Sequence, residues 1–204
     1  MHSFSTDQYN RNRLYILIGV ISALIYIEGI RRFGLGMGFT IGIISIALYI
    51  LFVKFIWKWK WLHRWNLVSV PDLNGCWEGY LYTSAPEESI PEAEIIREEP
   101  QIYGFTKMEA SIKIEQTWDK IRVTLDGPQS SSHSRAATIL VEQKAWPTLS
   151  YNYWNEGGNT SDQPGPHYGS AFLEYDEDED KLEGRYFNRP DHRGTHGILD
   201  LERV

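Results

Sequence analysis

The sequence is poor in cysteine and in catalytic motifs. Cys76 is the single cysteine among 204 residues, so no disulfide can form within the chain, and this fits a reducing compartment. We find no G-x-S-x-G, Walker A, H-E-x-x-H or C-x-x-C motif. His192 and His196 would lie about 13 Å apart on a strand, too far to hold one metal ion. The sequence therefore predicts a protein that is not an enzyme, with no metal and no cofactor.

Positive charge is scarce in the larger, C-terminal part of the chain. Residues 1–65 carry eight Lys and Arg against two Asp and Glu, whereas residues 66–204 carry twelve against twenty-five. The net charges of the two parts are therefore +6 and −13. A strongly acidic domain repels polyanions, so this balance argues against a nucleic-acid polymer as a partner.

Long apolar runs are confined to residues 14–57. The stretch predicts a membrane hairpin of two helices, about 14–30 and 35–57, because a helix needs about 17–25 mostly apolar residues to cross a bilayer. Four residues separate the runs, so we expect antiparallel neighbours. The polar N terminus, 1–13, precedes them, and Met1–Asn12 is expected to be disordered. A Trp- and Lys-rich linker, 58–70, is expected to lie in the headgroup layer.

Basic residues indicate the orientation of this hairpin. Six of them flank its outer ends, against Arg31 and Arg32 in the link, and positive residues tend to stay cytoplasmic. We therefore expect a multi-pass membrane protein whose N terminus and C-terminal domain are cytoplasmic. A secretory signal peptide at 14–30 is the alternative, but no small-residue cleavage site is visible and a second span follows directly.

Two features of the hairpin leave alternatives open. Gly34, Gly38 and Gly42 recur every four residues and would let helices approach closely, either within the hairpin or between protomers. Glu28 lies near the end of the first span, where an ionisable residue is a functional candidate. It could equally pair with the adjacent arginines at the membrane surface.

The remainder of the chain, 71–204, alternates apolar and polar residues in short runs typical of β-strands. Strands are predicted near residues 75–83, 108–118, 120–126, 134–142, 148–154, 168–175, 181–187 and 195–202. Eight short antiparallel strands predict an all-β, lipocalin-like barrel, which has no open edge and can hold one small ligand. An open sandwich is the alternative. The Glu- and Pro-rich stretch 83–104 predicts a long surface loop, or a short helix with disorder.

Side chains suited to a phosphorylated, base-containing ligand cluster late in this domain. Arginine forks bind phosphate, aromatic faces stack on bases, and amides or hydroxyls read base edges. The predicted ligand-binding residues are Arg135, Tyr151, Tyr153, Asn155, Arg185, Tyr186, Arg193 and Thr195, and Trp118, Ser134, Trp154, Asn188 and Arg189 share the same chemistry. The alternative is that the aromatic residues form the barrel core and the arginines are solvated.

Five motifs, in their order along the chain and together with the preceding membrane hairpin, make the sequence similar to a known family. They are PDLNGCWEGYL at 71–81, IKIEQTWDKIRVTL at 112–125, LSYNYWNE at 149–156, LEGRYFN at 182–188 and HRGTHGILDLER at 192–203. The chain resembles the two-transmembrane β-barrel effectors of bacterial CBASS anti-phage systems, which are CD-NTase-associated proteins. The resemblance covers nearly the whole chain.

This resemblance implies a function that the residues alone do not specify. The barrel would bind a cyclic nucleotide made by a cognate CD-NTase, and binding would drive the hairpins into homo-oligomers. The bacterial inner membrane would then be disrupted, and the infected cell would die. Two other hypotheses stay open: a membrane-anchored, lipocalin-like carrier of an apolar ligand, and a membrane-anchored hydrolase.

Overall fold

In the computed structural model the chain divides into two compact units. The first consists of Met1–Asp7, Asp72–Gln116 and Lys120–Val204, and the second of Gln8–Pro71 with Thr117–Asp119. The structure describes residues 1–7, 11–33, 41–65, 67–90, 92–97, 104–127, 130–141, 146–158, 165–189 and 194–204. The first unit is built of strands and the second mainly of helices, so each is described separately.

The helical unit begins with α1, Arg11–Phe33, and continues with α2, Ile41–Lys54. Within α1, the 21 residues Asn12–Arg32 are long and apolar enough to cross a membrane, with a mean hydropathy of 1.8. Large apolar side chains along it are exposed, including Ile16 at 67% and Leu24 at 60%. An exposed apolar surface of this extent is typical of a membrane or protein interaction site.

Helix α2 is shorter than the predicted second span. It has 14 residues and ends at Lys54, and the chain turns through a 3₁₀ helix, Ile56–Lys58, into the short helix α3, Lys60–Arg64. The prediction of a continuous helix to residue 57 is therefore wrong at this end. Phe55 leaves helical geometry, with φ −132° and ψ −51°, and the turn buries the Trp57 indole completely. Residues 35–40 lie outside the described ranges.

Contacts within the helical unit bear on the other membrane predictions. The Tyr15 and Tyr49 rings lie 6.2 Å apart, near the start of α1 and the end of α2, as antiparallel neighbours require. Glu28 pairs with Arg32 and lies 3.9 Å from Arg31, which favours local pairing.

Other membrane predictions remain untested. Trp59, Trp61 and Trp65 are exposed, and their place in the headgroup layer stays a prediction. Gly34 and Gly38 lie outside the described residues, so the role of their column with Gly42 also stays a prediction.

Strands build the first unit. In its described residues they are β1 (His2–Ser3), β2 (Ser5–Thr6), β3 (Gly75–Thr83), β4 (Thr106–Gln116), β5 (Lys120–Asp126), β6 (Ser131–Leu140), β7 (Thr148–Asn155), β8 (His167–Asp176), β9 (Lys181–Asn188) and β10 (His196–Arg203). From β3 to β10 each strand pairs antiparallel with the next, β10 returns to β3, and β5 joins β6. The predicted eight-stranded barrel is confirmed, and the open sandwich is wrong.

Alternation of side chains explains why these residues form a barrel wall. In β5, Ile121 and Val123 are buried, while Lys120 and Arg122 between and beside them are exposed. The same period of two places Leu173 of β8 and Leu182 of β9 in the interior at 0% exposure. The predicted strand bounds agree with the observed bounds to within three residues.

The prediction of a disordered N terminus is wrong for the residues that the structure describes there. β1 pairs antiparallel with β5, β2 pairs parallel with β6, and Phe4 between them is only 5% exposed. The reason is an opening in the barrel wall, because within the described residues β5 and β6 pair directly only between Thr124–Asp126 and Ser131–His133. Beyond this short stretch the facing edges of β5 and β6 are free of each other, and the N-terminal residues pair with them, because exposed strand edges favour pairing.

The loop after β3 is partly ordered. It contains 3₁₀ turns at Glu87–Ser89 and Glu92–Glu94 and a bridge from Ile96 to Lys107 of β4. Arg97 connects the two turns, with its guanidinium nitrogens 3.6 Å and 3.5 Å from the carboxylates of Glu87 and Glu92. Ala85 and Ile90 of this loop line the cavity described below.

Candidate functional site

A cavity of about 130 Å³ lies inside one end of the barrel. The C-terminal ends of β3, β5, β7 and β9 meet the N-terminal ends of β4, β6, β8 and β10 there, because neighbouring strands are antiparallel. The lining consists of Leu81, Thr83, Ala85, Ile90, Met108, Leu125, Gly127, Ser130, Ser132, Tyr151, Tyr153, Asn155, His167, Tyr186, Asn188, Thr195 and Leu199. Its apolar side chains come mainly from deeper strand positions, and its amides and most of its hydroxyls come from the strand ends.

A hydrogen-bonded chain crosses the cavity wall from β7 to the start of β10. The Tyr153 hydroxyl donates to Asn188 Oδ1 at 2.7 Å, and Asn188 Nδ2 donates to Thr195 Oγ1 at 2.6 Å. Tyr153 reaches β9 by passing over Gly169 of β8, which is paired with both residues. A β-carbon on Gly169 would lie 2.3 Å from the Tyr153 ring and hydroxyl. The absence of a side chain at Gly169 therefore makes room for the Tyr153 ring and its hydrogen bond to Asn188.

Tyr186 has a similar arrangement on the adjacent strands. It is paired with Gly197 of β10, where a β-carbon would lie 2.7 Å from the Tyr186 ring and even closer to backbone. Burial raises the pKa of Tyr186 to about 12, although a hydrogen bond with Thr83 opposes the shift. Burial also raises the pKa of Tyr151 and of Tyr153 well above the usual range. All three hydroxyls are therefore neutral hydrogen-bonding groups at neutral pH.

Asn155 and His167 complete the polar end of the cavity. Asn155 Nδ2 donates to Ser130 Oγ at 2.9 Å, and its Oδ1 accepts from the Gly157 amide at 2.8 Å. The side chain of Asn155 thus holds two loops in place at the rim. His167 is 4% exposed, and its Nδ1 lies 2.8 Å from the Gly165 carbonyl oxygen. Because that oxygen can only accept, Nδ1 carries the proton and Nε2 is left for other partners.

The structure brings together five of the eight predicted ligand-binding residues. Tyr151, Tyr153, Asn155, Tyr186 and Thr195 all line the cavity.

The predicted arginines do not share this cavity where the structure describes them. Arg135 and Arg185 are exposed and are not among the residues lining the cavity. For Arg185 the reason is strand alternation, because it precedes the inward-facing Tyr186 in β9 and must face outward. Arg135 follows the buried Ser134 at an irregularity in the pairing of β6 with β7. Arg193 lies outside the described residues.

Sequence reasoning missed several parts of the lining. His167 opens β8, and the alternation that buries Gly169 and Ala171 is the signal that could have placed it inward. Asn188 shares base-reading chemistry, and its position two residues after Tyr186 indicates the same face. Ile90, by contrast, belongs to the loop after β3, and no periodicity predicts that its side chain enters the barrel.

The cavity is uncharged over the residues described. None of its described lining residues is Arg, Lys, Asp or Glu. Within the described part of the chain no cluster of His, Cys, Asp and Glu could hold a metal ion. What the arrangement offers is hydroxyl and amide hydrogen bonds beside tyrosine faces, which suits a ligand with aromatic rings and many polar atoms.

Comparisons with known proteins agree with this site. Residues 68–203 match the family described as the Cap15 cyclic dinucleotide receptor domain. The chain is also 30% identical over 163 residues to CD-NTase-associated protein 15 of Yersinia aleksiciae, an alignment that covers 80% of this chain and 69% of that protein. The matched region contains the whole eight-stranded barrel and its cavity. The chain therefore belongs to the Cap15 family, as its resemblance to the two-transmembrane β-barrel effectors of CBASS predicts.

Proposed function

We propose that this chain is a CBASS effector whose barrel senses a cyclic dinucleotide made by a cognate CD-NTase. The observation that carries the proposal is the cavity, which joins three tyrosine rings to a polar rim within the region that matches the receptor family. Tyrosine faces can stack on nucleobases, and amides or hydroxyls can bond to base edges and phosphate oxygens. Such a receptor binds its ligand and transmits the event without catalysing a reaction.

The polar rim supports a nucleotide over an apolar ligand. A carrier of an apolar molecule would gain nothing from lining its lumen with Asn155, His167, Asn188 and Thr195, whereas these side chains can hydrogen-bond to base edges and phosphate oxygens. The phosphates would be held by neutral donors, because the described cavity lining contains no Arg or Lys.

Chain connectivity supports a hairpin of two membrane spans. Met1–Asp7 precedes α1, and Asp72–Val204 follows α2, yet both belong to the same compact unit. A membrane segment between them must return to the side on which it started. With α1 long enough to span, α2 is its return path. We propose that both ends are cytoplasmic and that the hairpin lies in the bacterial inner membrane, because basic residues flank its outer ends.

Ligand binding would then promote association of the membrane segments. The exposed apolar side chains of α1 and the glycine column Gly34, Gly38 and Gly42 are the surfaces we propose for contact with lipid and with other protomers. Homo-oligomers of the hairpin would disrupt the membrane and kill the infected cell, as abortive infection requires.

The test uses the full chain in detergent and in liposomes. A panel of cyclic di-AMP, cyclic di-GMP, cyclic GMP-AMP and cyclic di-UMP is titrated while the melting temperature is followed, because a ligand that binds the folded state raises it. We expect a shift with one member or a subset, and release of a trapped dye from liposomes at the same concentrations. Copurified lipid together with no shift would favour the apolar carrier and contradict the proposal.

A further inference from the structure

The opening between β5 and β6 is a strand-binding site inside the barrel wall. Direct pairing of the two strands, in the residues described, stops at Thr124 and His133. Beyond that point β1 pairs His2 with Ile121, and β2 pairs Ser5 with Thr138. The first seven residues therefore supply the backbone that completes this wall, and we call Met1–Asp7 the strap.

Side chains of β6 hold the strap at two levels. His2 Nε2 lies 2.8 Å from Ser134 Oγ, and the same oxygen accepts from the Val123 amide at 2.9 Å. Farther along, Ser5 Oγ lies 2.6 Å from Thr138 Oγ1.

The strap's last residue adds a bond to the strand end. Asp7 Oδ1 accepts from the Val141 amide at 2.7 Å. With Phe4 as its buried apolar anchor, the strap is bound through short strands and single hydrogen bonds, which makes it the most easily separated part of the wall.

The strap is paired with the same two strands, β5 and β6, that line one side of the ligand cavity. Leu125 of β5 and Ser132 of β6 are paired with each other, and both line the cavity. Ser134, which contacts His2, is two residues farther along the same face of β6 as Ser132. The short stretch of β5–β6 pairing thus stands between the cavity and the strap, so any spreading of this stretch moves the strands that hold the strap.

The small size of the cavity favours such spreading. Pockets for small-molecule ligands are typically about 300–1,000 Å³, whereas this cavity is about 130 Å³. A cyclic dinucleotide carries two bases, two sugars and two phosphates, so we expect its entry to widen the end of the barrel. Among the eight barrel strands the described pairing is shortest between β5 and β6, so we expect the barrel to open there first.

We propose that the strap is a ligand-released tether between the sensor and the first membrane helix. In the free protein it holds the chain just before α1 in the barrel wall. A ligand in the cavity parts β5 from β6, releases the strap, and frees α1 to associate with other protomers. This inference rests on the proposed function and names the route by which the barrel controls its membrane segment.

A disulfide lock tests the tether in the full chain. Ser5→Cys with Thr138→Cys is introduced together with Cys76→Ser, because the native thiol is exposed and would pair wrongly. In the oxidised protein we expect affinity for the responsive cyclic dinucleotide to fall about tenfold, since release by the ligand and opposition by the lock are reciprocal. Oligomer formation and dye release from liposomes should be lost, and reduction should restore both.

A matched control separates the strap from general stiffening of the wall. Ala136→Cys with Asn152→Cys, in the same Cys76→Ser background, joins β6 to β7 at paired positions and changes none of the strap contacts named above. We expect this protein to bind ligand and release dye as the Cys76→Ser parent does. If the oxidised strap lock binds and releases dye as well as this control, the tether is disproved while the sensor function stands.

Weakening the strap tests the proposal in the opposite direction. Phe4→Ala removes its buried anchor, so ligand affinity should rise severalfold and some dye should be released without ligand. Hydrogen exchange at Ser3–Thr6 should increase when the wild-type protein is saturated with ligand. Unchanged or slower exchange there, in a protein that demonstrably binds the ligand, contradicts the tether. Absence of binding in the wild type contradicts the proposed function instead.

Discussion

Tyr153 of β7 donates its hydroxyl to Asn188 of β9 by crossing over Gly169 of the strand between them. The hydrogen bond is 2.7 Å long, and Tyr153 is 7% exposed. Its ring therefore forms part of the cavity wall, and its polar end fixes the amide of Asn188 towards Thr195. A cavity that must recognise bases gains from such fixed amides, because a preorganised group loses little entropy when it binds.

Gly169→Ala should damage the cavity through a steric clash. The new methyl group would lie 2.3 Å from the Tyr153 ring, so the ring must move and its bond to Asn188 must break. We expect unfolding free energy to fall by about 1–3 kcal/mol, and affinity for the cyclic dinucleotide to fall at least tenfold. Denaturant unfolding and ligand titration measure the two effects.

Gly165→Ala is the matched control for this substitution. Gly165 lies just before β8, near the same end of the barrel, and a β-carbon there meets nothing within 4 Å. We expect its stability and its ligand affinity to match those of the wild type. Equal behaviour of the two alanine variants would show that the space over Gly169 is not required.

Tyr153→Phe should separate the hydrogen bond from the ring. It keeps the aromatic face and removes the donor to Asn188, so stability should fall by about 1 kcal/mol. If the fixed amide of Asn188 reads the ligand, affinity falls beyond this loss. In a double-mutant cycle, Tyr153→Phe should then lower affinity in the wild-type background but not in the Asn188→Ala background. Additive losses of affinity would instead show that the two residues act independently.

The sequence predicts the barrel well because alternation is a local property. Ile121 and Val123 against Lys120 and Arg122 identify both a strand and its inner face, and a closed barrel follows from eight such strands. The strap escapes prediction because strands of two residues have no measurable period. It is recruited by an opening in a distant part of the chain, which no local pattern reveals.

The candidate site is predicted only where the chemistry and the facing agree. Tyr186 and Arg185 both have suitable chemistry, yet adjacent strand residues face opposite sides of the wall. The role of Gly169 and Gly197 also depends on a neighbouring strand, since each lies under a tyrosine that is distant in sequence. If the inward or outward direction of each side chain is assigned from strand alternation, Arg185 is removed from the predicted site and Asn188 is added.

Arg135→Ala and Arg185→Ala should leave ligand binding unchanged. Both side chains are exposed and neither lines the cavity, so we expect affinity within about twofold of the wild type and no change in dye release. A loss of affinity in Arg185→Ala with unchanged melting temperature would contradict this assignment and place ligand contacts on the outer face. Thr195→Ala, which alters the cavity, serves as the positive reference.

The barrel should lose stability in strongly alkaline solution. Burial raises the pKa of Tyr186 from 10.0 to about 12, so the folded state keeps the phenol neutral where the unfolded state ionises it. The stability from this group is complete below pH 10 and is lost as pH rises towards 12. Tyr151 and Tyr153, whose pKa values burial also raises, add to the same loss.

Melting temperatures from pH 7 to 12, with tyrosinate absorbance recorded in parallel, measure this alkaline loss. We expect the buried phenols to ionise only as the protein unfolds. Tyr186→Phe should flatten the decline above pH 10, whereas Tyr168→Phe, at an exposed position, should not. Ionisation of all tyrosines near pH 10 without unfolding would contradict the burial of these three side chains.

Arg203 closes the barrel at the end opposite the cavity. Its guanidinium donates to the backbone carbonyls of Asn74 at 2.7 Å and Asp72 at 2.9 Å and to Asp180 Oδ1 at 2.9 Å, and it lies 4.4 Å from the centre of the Trp77 ring. A lysine has one nitrogen and cannot reproduce this planar set of bonds. We expect Arg203→Lys to lower the free energy of unfolding by about 2–3 kcal/mol.

The same substitution should leave ligand affinity intact, because the cavity is formed by the other ends of the strands. Arg122→Lys is the matched control, since Arg122 is exposed in the middle of β5, and it should change neither quantity. Denaturant unfolding and cyclic dinucleotide titration on the three proteins separate stability from recognition. If Arg203→Lys loses more affinity than its loss of stability can explain, the two ends of the barrel are coupled. That result would contradict a purely structural role for Arg203.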